Sequence, residues 1–394
     1  MQLVEHAMEL VKNRKLGFNE DWENKWANWE PSSPIRLERQ QELARLRSQN
    51  VEKGLPPMAG VKLLRGDIEW LIVENGGPIH YGDDRDGRVG IDLRQSDLTQ
   101  TDCSSLPLNT CFFQDARTDF AIFSDCDLRW SLFDRAHMSE ADFARADLFK
   151  AQFNGTYLRD IDMRGANLES AWFDDSTYLD GAKLNGAFLS GCHWRGVDLT
   201  HIEWKDVRKI GEEIHAGQIR LKLRAEGYND ATDAYARISQ LIRDQGRLSD
   251  SARYYFRSNV MRRKYLWYSL WQDALNIRPI RAGRRLLSLI SCLILEAICG
   301  YGEYPSRVVF WAAVVVSIFA ALFRTVANSP NTHFDIPAAI VFSASSFLGR
   351  GYALVLPVTS LAEPASILSV IEAGLGTTLE ILFVTTFTRR LVRG

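Results

Sequence analysis

The chain has 394 residues, with 47 Lys/Arg against 49 Asp/Glu and a formal net charge of −2. That length accommodates two or three domains, and the balanced charge offers no general attraction for nucleic acid. The 46% hydrophobic share excludes a disordered chain. The last hundred residues are strongly apolar while the first 285 carry most of the charge, which excludes a wholly soluble protein.

Residues 1–16 are mixed and charged, without an apolar h-region, so no secretory leader is expected. The N-terminal region, 1–90, has Trp22, Trp26 and Trp29 at roughly helical spacing, which reads as a packed face. A helical stretch is predicted from about Pro34 to Asn50, then a Gly/Pro break at 54–60. The amphipathic segment VKLLRGDIEWLIVENG follows, and it is placed as a cap on whatever comes next.

From Ile91 the sequence falls into fives: IDLRQ, SDLTQ, TDCSS, LPLNT and onward. The central residue, mostly Leu, Phe or Met, recurs every five positions from Leu93 to Phe173. One extra residue then shifts the frame, and the period resumes from Leu179 to Trp204, making 23 fives in all. Two places before each centre stands a small or aliphatic residue. Five is a multiple of neither 3.6 nor 2, so this is neither an amphipathic helix nor an alternating strand. It suits a right-angled coil with four fives per turn, both apolar positions pointing inward, and a bulge at the inserted residue. The segment 91–206 carries 20 Asp/Glu against 11 Lys/Arg, all read as lying on its surface.

These repeats resemble the pentapeptide-repeat family, A(D/N)LXX, with departures at Cys103, Pro107 and Thr118. The resemblance implies a right-handed quadrilateral β-solenoid over 91–206. Some members of that family mimic DNA and bind topoisomerase. An acidic rod that continues into apolar sequence fits a spacer or docking rod better.

A basic helical linker, 207–285, is predicted next, with helices over 229–245 and 248–271 around Gly246. Between Arg253 and Arg285 nine Lys/Arg stand against one acid, Asp273, with Tyr and Trp interleaved. Because this run abuts apolar sequence, its expected partner is an anionic lipid headgroup surface and not nucleic acid.

The remaining residues, 286–394, form a membrane region. Leu286–Cys299, 14 residues with Glu296, is short for a span and reads as an interfacial helix; the CGYGEYP that follows reads as a membrane-surface turn. Spans are predicted at 308–326 and 366–388, with a short apolar helix at 335–347 and a Gly-rich loop at 348–353 between them. By the distribution of Arg284, Arg285 and Arg307 before the first span and Arg389, Arg390 and Arg393 after the second, both termini are expected to face the cytoplasm of a multi-pass plasma (inner) membrane protein.

The order span, short helix, Gly-rich loop, Pro, span, basic tail resembles two-span pore-loop channels built like potassium channels. Pentapeptide-repeat proteins carrying such a C-terminal domain are the specific subgroup. The resemblance implies a homotetramer, since one loop supplies a quarter of a filter, and a filter at Leu348, Gly349, Arg350, Gly351 and Tyr352. Two registers, 347–351 and 349–353, remain open, and both include Arg350. Four guanidiniums at a narrow point would repel cations, so anion or poorly selective conduction is expected. Alternatively Arg350 turns behind the filter and pairs with Glu372 or Glu363. Thr377 and Glu380 are assigned to the pore cavity, Glu372 to filter support, and Gly374 and Gly376 to a gating hinge or to close helix packing.

No HExxH, GxxxxGKS or GxSxG occurs, the seven histidines are scattered, and the six cysteines form no CxxC pair. The expectation is therefore a non-enzyme without catalytic residues, metal or cofactor, whose partners are permeant ions, lipid and a cytoplasmic protein on the rod. The rival reading is a non-conducting membrane-anchored scaffold.

Overall fold

The structure is a computed structural model that describes residues 29–78, 90–202, 204–219, 223–276, 278–302, 304–326, 335–349 and 363–393. Trp22, Trp26, Arg350, Gly351 and Tyr352 lie outside the described residues. The chain divides into two units, Met1–Ser251 and Ala252–Gly394.

The fives of the first unit wind into stacked coils. Parallel bridges join each second-position residue to the one twenty places on: Asp92 to Phe112, Asp97 to Arg117, Asp102 to Ile122, Pro107 to Asp127. Four fives thus make one coil, and four columns of bridges run along the stack. Each rung is a pair of backbone bonds, as where Leu98 N donates to Arg117 O (2.7 Å) and Arg117 N to Ser96 O (2.9 Å).

Side chains at the centre of each five fill the axis. Phe113, Phe133, Phe153, Phe173 and Trp194 form one stacked column with centroid separations of 4.7, 5.0, 5.1 and 4.6 Å. Phe123 and Phe143 stack in a neighbouring column (4.8 Å), meeting the first edge-on at 5.8 and 6.0 Å. Thr118, a departure from the apolar pattern, is fully buried and donates its hydroxyl to His137 O (3.1 Å).

Twenty of the 23 fives close on a left-handed residue, the exceptions ending at Asp175, His201 and Asp206. Non-glycine residues from Gln95 to Ser170 hold φ between +55° and +60° there, and glycine takes the place at 155, 165, 181, 186, 191 and 196. The turn demands this backbone sign, which is why the later fives end so often in Gly.

The inserted residue is absorbed at one corner. Bridges that close before it span twenty residues; those that enclose it span twenty-one, as in Tyr157 to Tyr178 and in the pair β1 (Trp172–Phe173) with β2 (His193–Trp194). The Asp174 carboxylate gathers the corner by accepting from Gly155 N (2.8 Å), Ser176 N (3.2 Å) and the Thr177 hydroxyl (2.9 Å).

An open coil end would expose core and backbone, and both ends are covered. At the first coil, Leu63 N donates to Asp97 O and Asp97 N to Val61 O, both 2.9 Å. Helices α1 (Leu37–Glu52) and α2 (Arg65–Glu74) lie over this end, with Leu43, Leu63 and Ile68 fully buried. Buried Glu69 accepts from Ser32 Oγ, Ser33 N and Arg65 Nε at 2.7–2.9 Å. At the last coil stands α3 (Gly211–Gln218), where a Cβ on Gly211 would fall 2.4 Å from the Phe188 ring. Glu212 accepts from Leu189 N and Ser190 N, both 2.6 Å. Helix α4 (Arg224–Asp244) starts earlier than the expected Asn229, and its Tyr235 hydroxyl donates to Glu213 (2.6 Å).

The acidic surface is smaller than its composition suggests. Asp127, Arg129 and Asp147 were expected outside, yet all three are buried, at 1%, 4% and 1% exposure. Arg129 grips Asp127 through two bonds (2.8 and 2.6 Å), while Asn167 Nδ2 donates to Asp147 Oδ1 (2.8 Å). One guanidinium serves two carboxylates, and burial followed by the Asp127 charge pushes Asp147 up to about 7. Because this value is raised above the ordinary 3.8, the stability belonging to neutral Asp147 is present below that range. It is lost as pH rises through about 7. Asp147→Asn keeps the acceptor for Asn167 and removes the charge. It will raise stability at pH 8 by on the order of 1–3 kcal/mol and leave it unchanged near pH 4. Thermal melts of both proteins at the two pH values check this; a variant less stable at pH 8 would refute it.

Helix α5 (Leu248–Leu275) leads into the second unit, which contains α6 (Pro279–Cys299), α7 (Pro305–Val326), α8 (Ile336–Phe347) and α9 (Glu363–Arg393). Three helical stretches are long and apolar enough to cross a membrane: 279–302, 305–325 and 366–388, with mean hydropathy 1.5, 2.1 and 1.8. The expected count was two. The difference lies in α6, which begins at Pro279 in its first turn and not at Leu286, carrying Arg281, Arg284 and Arg285 inside the helix.

Candidate membrane-helix site

The short helix α8 begins beside extended Asp335, with Pro337 in its first turn, where a missing N–H costs nothing. It packs against α7 and α9. Phe323 meets the Phe342 ring edge-on at 4.8 Å within a cluster completed by Phe319, Ala320 and Ala339. At its other end Phe347 joins Val308, Cys299 and Leu379.

Polar groups are buried inside this apolar packing. Ser343, fully buried, lies between the Val316 carbonyl of α7 (2.9 Å) and Glu372 Oε1 of α9, in hydrogen-bond reach of both. Ser346 Oγ donates to Ser369 O (3.1 Å). Glu372 is fully buried, and its Oε2 has no hydrogen-bond partner among the described residues. Serine hydroxyls therefore tie α8 to both long helices. Ser343 and Ser346 were not singled out from the sequence, although the three serines of FSASSF, in an otherwise apolar helix, were the available signal.

The expected site residues fall at different depths. Leu348 ends α8 and is exposed, and Gly349 follows at φ +69°. Gly376 faces α8 so closely that a Cβ would lie 1.9 Å from the Phe347 carbonyl oxygen. Gly374 has open space. Thr377 and Glu380 are exposed on α9, the Thr377 hydroxyl bonding its own helix at Ala373 O (2.9 Å). Glu372 is thus brought to α8, whereas Glu380 is not.

The model of the family Pentapeptide repeats matches this chain in eight copies over 121–160, 141–177 and 177–201, and these residues are pentapeptide repeats. No curated protein matches. Among solved structures, a pentapeptide repeat protein from the Arabidopsis thaliana thylakoid lumen is 24% identical, with a TM-score of 0.21, over 28% of this chain and 79% of that one. The pentapeptide repeat protein Rfr23 from the cyanobacterium Cyanothece 51142 is 22% identical, with a TM-score of 0.17, over 32% and 69%. QnrB1, a plasmid-mediated fluoroquinolone resistance protein, is 18% identical, with a TM-score of 0.16, over 28% and 64%.

Proposed function

We propose that this chain is a membrane pore protein whose second unit, as a homotetramer, conducts ions. The observation that carries this reading is α8, twelve residues long, held between two helices of crossing length by buried serine bonds. A helix too short to cross has its C-terminal end inside the membrane region, and the backbone beyond it must line a cavity or be buried in protein. The loop 348–353, with Leu348, Gly349, Arg350, Gly351 and Tyr352, is the proposed filter. Four copies of Arg350 would disfavour cations, and exposed Thr377 and Glu380 are the proposed cavity lining. Glu372 supports the loop from behind through α8. Arg307 in the first turn of α7 and Arg389, Arg390 and Arg393 at the end of α9 favour a cytoplasmic side for both termini, in a plasma (inner) membrane. For the rod, four bridge columns support the right-handed quadrilateral solenoid.

The reversal potential of the purified full chain in planar bilayers under a KCl gradient tests the reading. A value near the chloride equilibrium potential is expected. A value near the potassium potential would overturn the role of Arg350, and absence of current under all voltages would overturn conduction.

A second reading, a membrane-anchored scaffold, is favoured by the rod's exposed rings. His137, Tyr157 and Tyr178 stack outward at 4.7 and 5.0 Å, and Trp172 covers His193 at 3.9 Å. Such flat aromatic surface suits a cytoplasmic protein partner.

A further inference from the structure

By length and composition α6 qualifies to cross the membrane, but three contacts bind it to a helix that does not. At one end Arg285 Nη1 lies 3.0 Å from Asp273 Oδ2 and donates to Ser269 O (2.6 Å). Arg263 pairs with Glu296 further along. At the other end Phe256 meets the Tyr301 and Tyr304 rings at 5.8 and 5.9 Å. On α5 these positions run 256, 263, 269, 273; on α6 and its turn they run 301, 296, 285. The two segments are therefore antiparallel and in step over about 24 Å of helix.

That length is most of a hydrocarbon core. If α6 crossed, α5 alongside it would take Arg257, Arg262, Arg263, Lys264 and Asp273 to membrane depth. Intramembrane charges are rare and face a paired interior or a water-filled cavity, whereas Arg262 is exposed. Lying flat removes the conflict. The outer side of α6 is apolar, with Leu286, Leu287, Ile290, Leu293 and Ile294 all exposed, and Trp267 and Trp271 of α5 are exposed as well. Arg278, Arg281 and Arg284 are exposed where α6 begins. An apolar face rimmed by cations and tryptophans is what an anionic headgroup layer accepts.

We propose that the part of α5 beyond residue 252 and α6 form a monotopic hairpin lying in the headgroup layer and binding anionic lipid, so that α6 does not cross. This rests on reading α7 and α9 as the crossing helices, and it deepens that reading by fixing the number of crossings at two.

The test uses the full chain in proteoliposomes, labelled from outside with a membrane-impermeant maleimide and weighed molecule by molecule. Gly283→Cys and Ser306→Cys together place reporters on either side of α6. Gly283 has open space and Ser306 is exposed, so both changes are benign. The hairpin gives molecules with two added labels or none, whatever their orientation in the vesicle. One label on every molecule overturns it. Ser306→Cys with Asn328→Cys brackets α7 and gives one label if α7 crosses. Two or none would refute the crossing of α7 instead, so the two failures are distinct. In nanodiscs of phosphatidylcholine with phosphatidylglycerol, native mass spectrometry should show retained phosphatidylglycerol. Replacing Arg262, Arg281 and Arg284 with Gln will weaken that retention roughly fivefold for each arginine. Unchanged retention would overturn the lipid partner.

Discussion

Gly376→Ala will destabilise the membrane unit by about 3 kcal/mol, lowering its melting temperature in detergent by roughly 6–12 °C. The added Cβ would sit 1.9 Å from the Phe347 carbonyl oxygen, 2.8 Å from its carbon and 3.1 Å from the ring. Two of these atoms are backbone at the end of α8, so no rotamer change relieves the clash. The helix must withdraw from α9, straining the serine bonds that tie it there. Gly374, two residues away on the same helix, supplies the control. A Cβ there meets nothing within 4 Å, so Gly374→Ala will leave stability unchanged or raise it by up to about 1 kcal/mol through helix propensity. A hinge role would make both substitutions matter alike, whereas close packing separates them. Matching melts for the two variants would dismiss the packing account.

Phe133→Ala will cost about 3–5 kcal/mol in the repeat unit. Phe133 is fully buried, stacked 4.7 Å from Phe113 and 5.0 Å from Phe153, with Phe143 edge-on at 6.0 Å. Its neighbours are fixed by backbone rungs above and below and cannot close the hole. Phe120, 48% exposed at a corner, is the comparison. Phe120→Ala will change stability by no more than about 0.5 kcal/mol. Chemical denaturation followed by far-UV circular dichroism distinguishes the pair. A loss below 1 kcal/mol at Phe133 would mean the axial column relaxes freely.

The repeat was legible because its period is written in every five residues from Leu93 to Trp204, and backbone pairing follows the same count. The one-residue slip after Phe173 was equally visible. What the sequence hid was the third dimension. Asp127, Arg129 and Asp147 read as surface charges because they occupy outward positions, but burial depends on what lies over one column of the stack. The start of α6 was hidden differently. Arg281, Arg284 and Arg285 resemble a linker, yet Pro279 opens a helix through them, and Asp273 and Ser269 hold Arg285. In the membrane unit, the order of helices followed from hydropathy. The placing of Ser343 against Glu372 did not, since a contact 29 residues apart between two apolar helices leaves no periodic mark.

The corner at Asp174 resembles a stacking fault in a layered crystal. One surplus unit enters a single row, the rows on either side stay in step, and the disturbance ends within the edge that admitted it. The ring column passes the fault without a gap, Phe153 to Phe173 at 5.1 Å and Phe173 to Trp194 at 4.6 Å. A coil built this way can take one residue more into its perimeter while the axis keeps one design. A residue inserted at a corner is thus borne by that corner, whereas one inserted at an inward position would break the column.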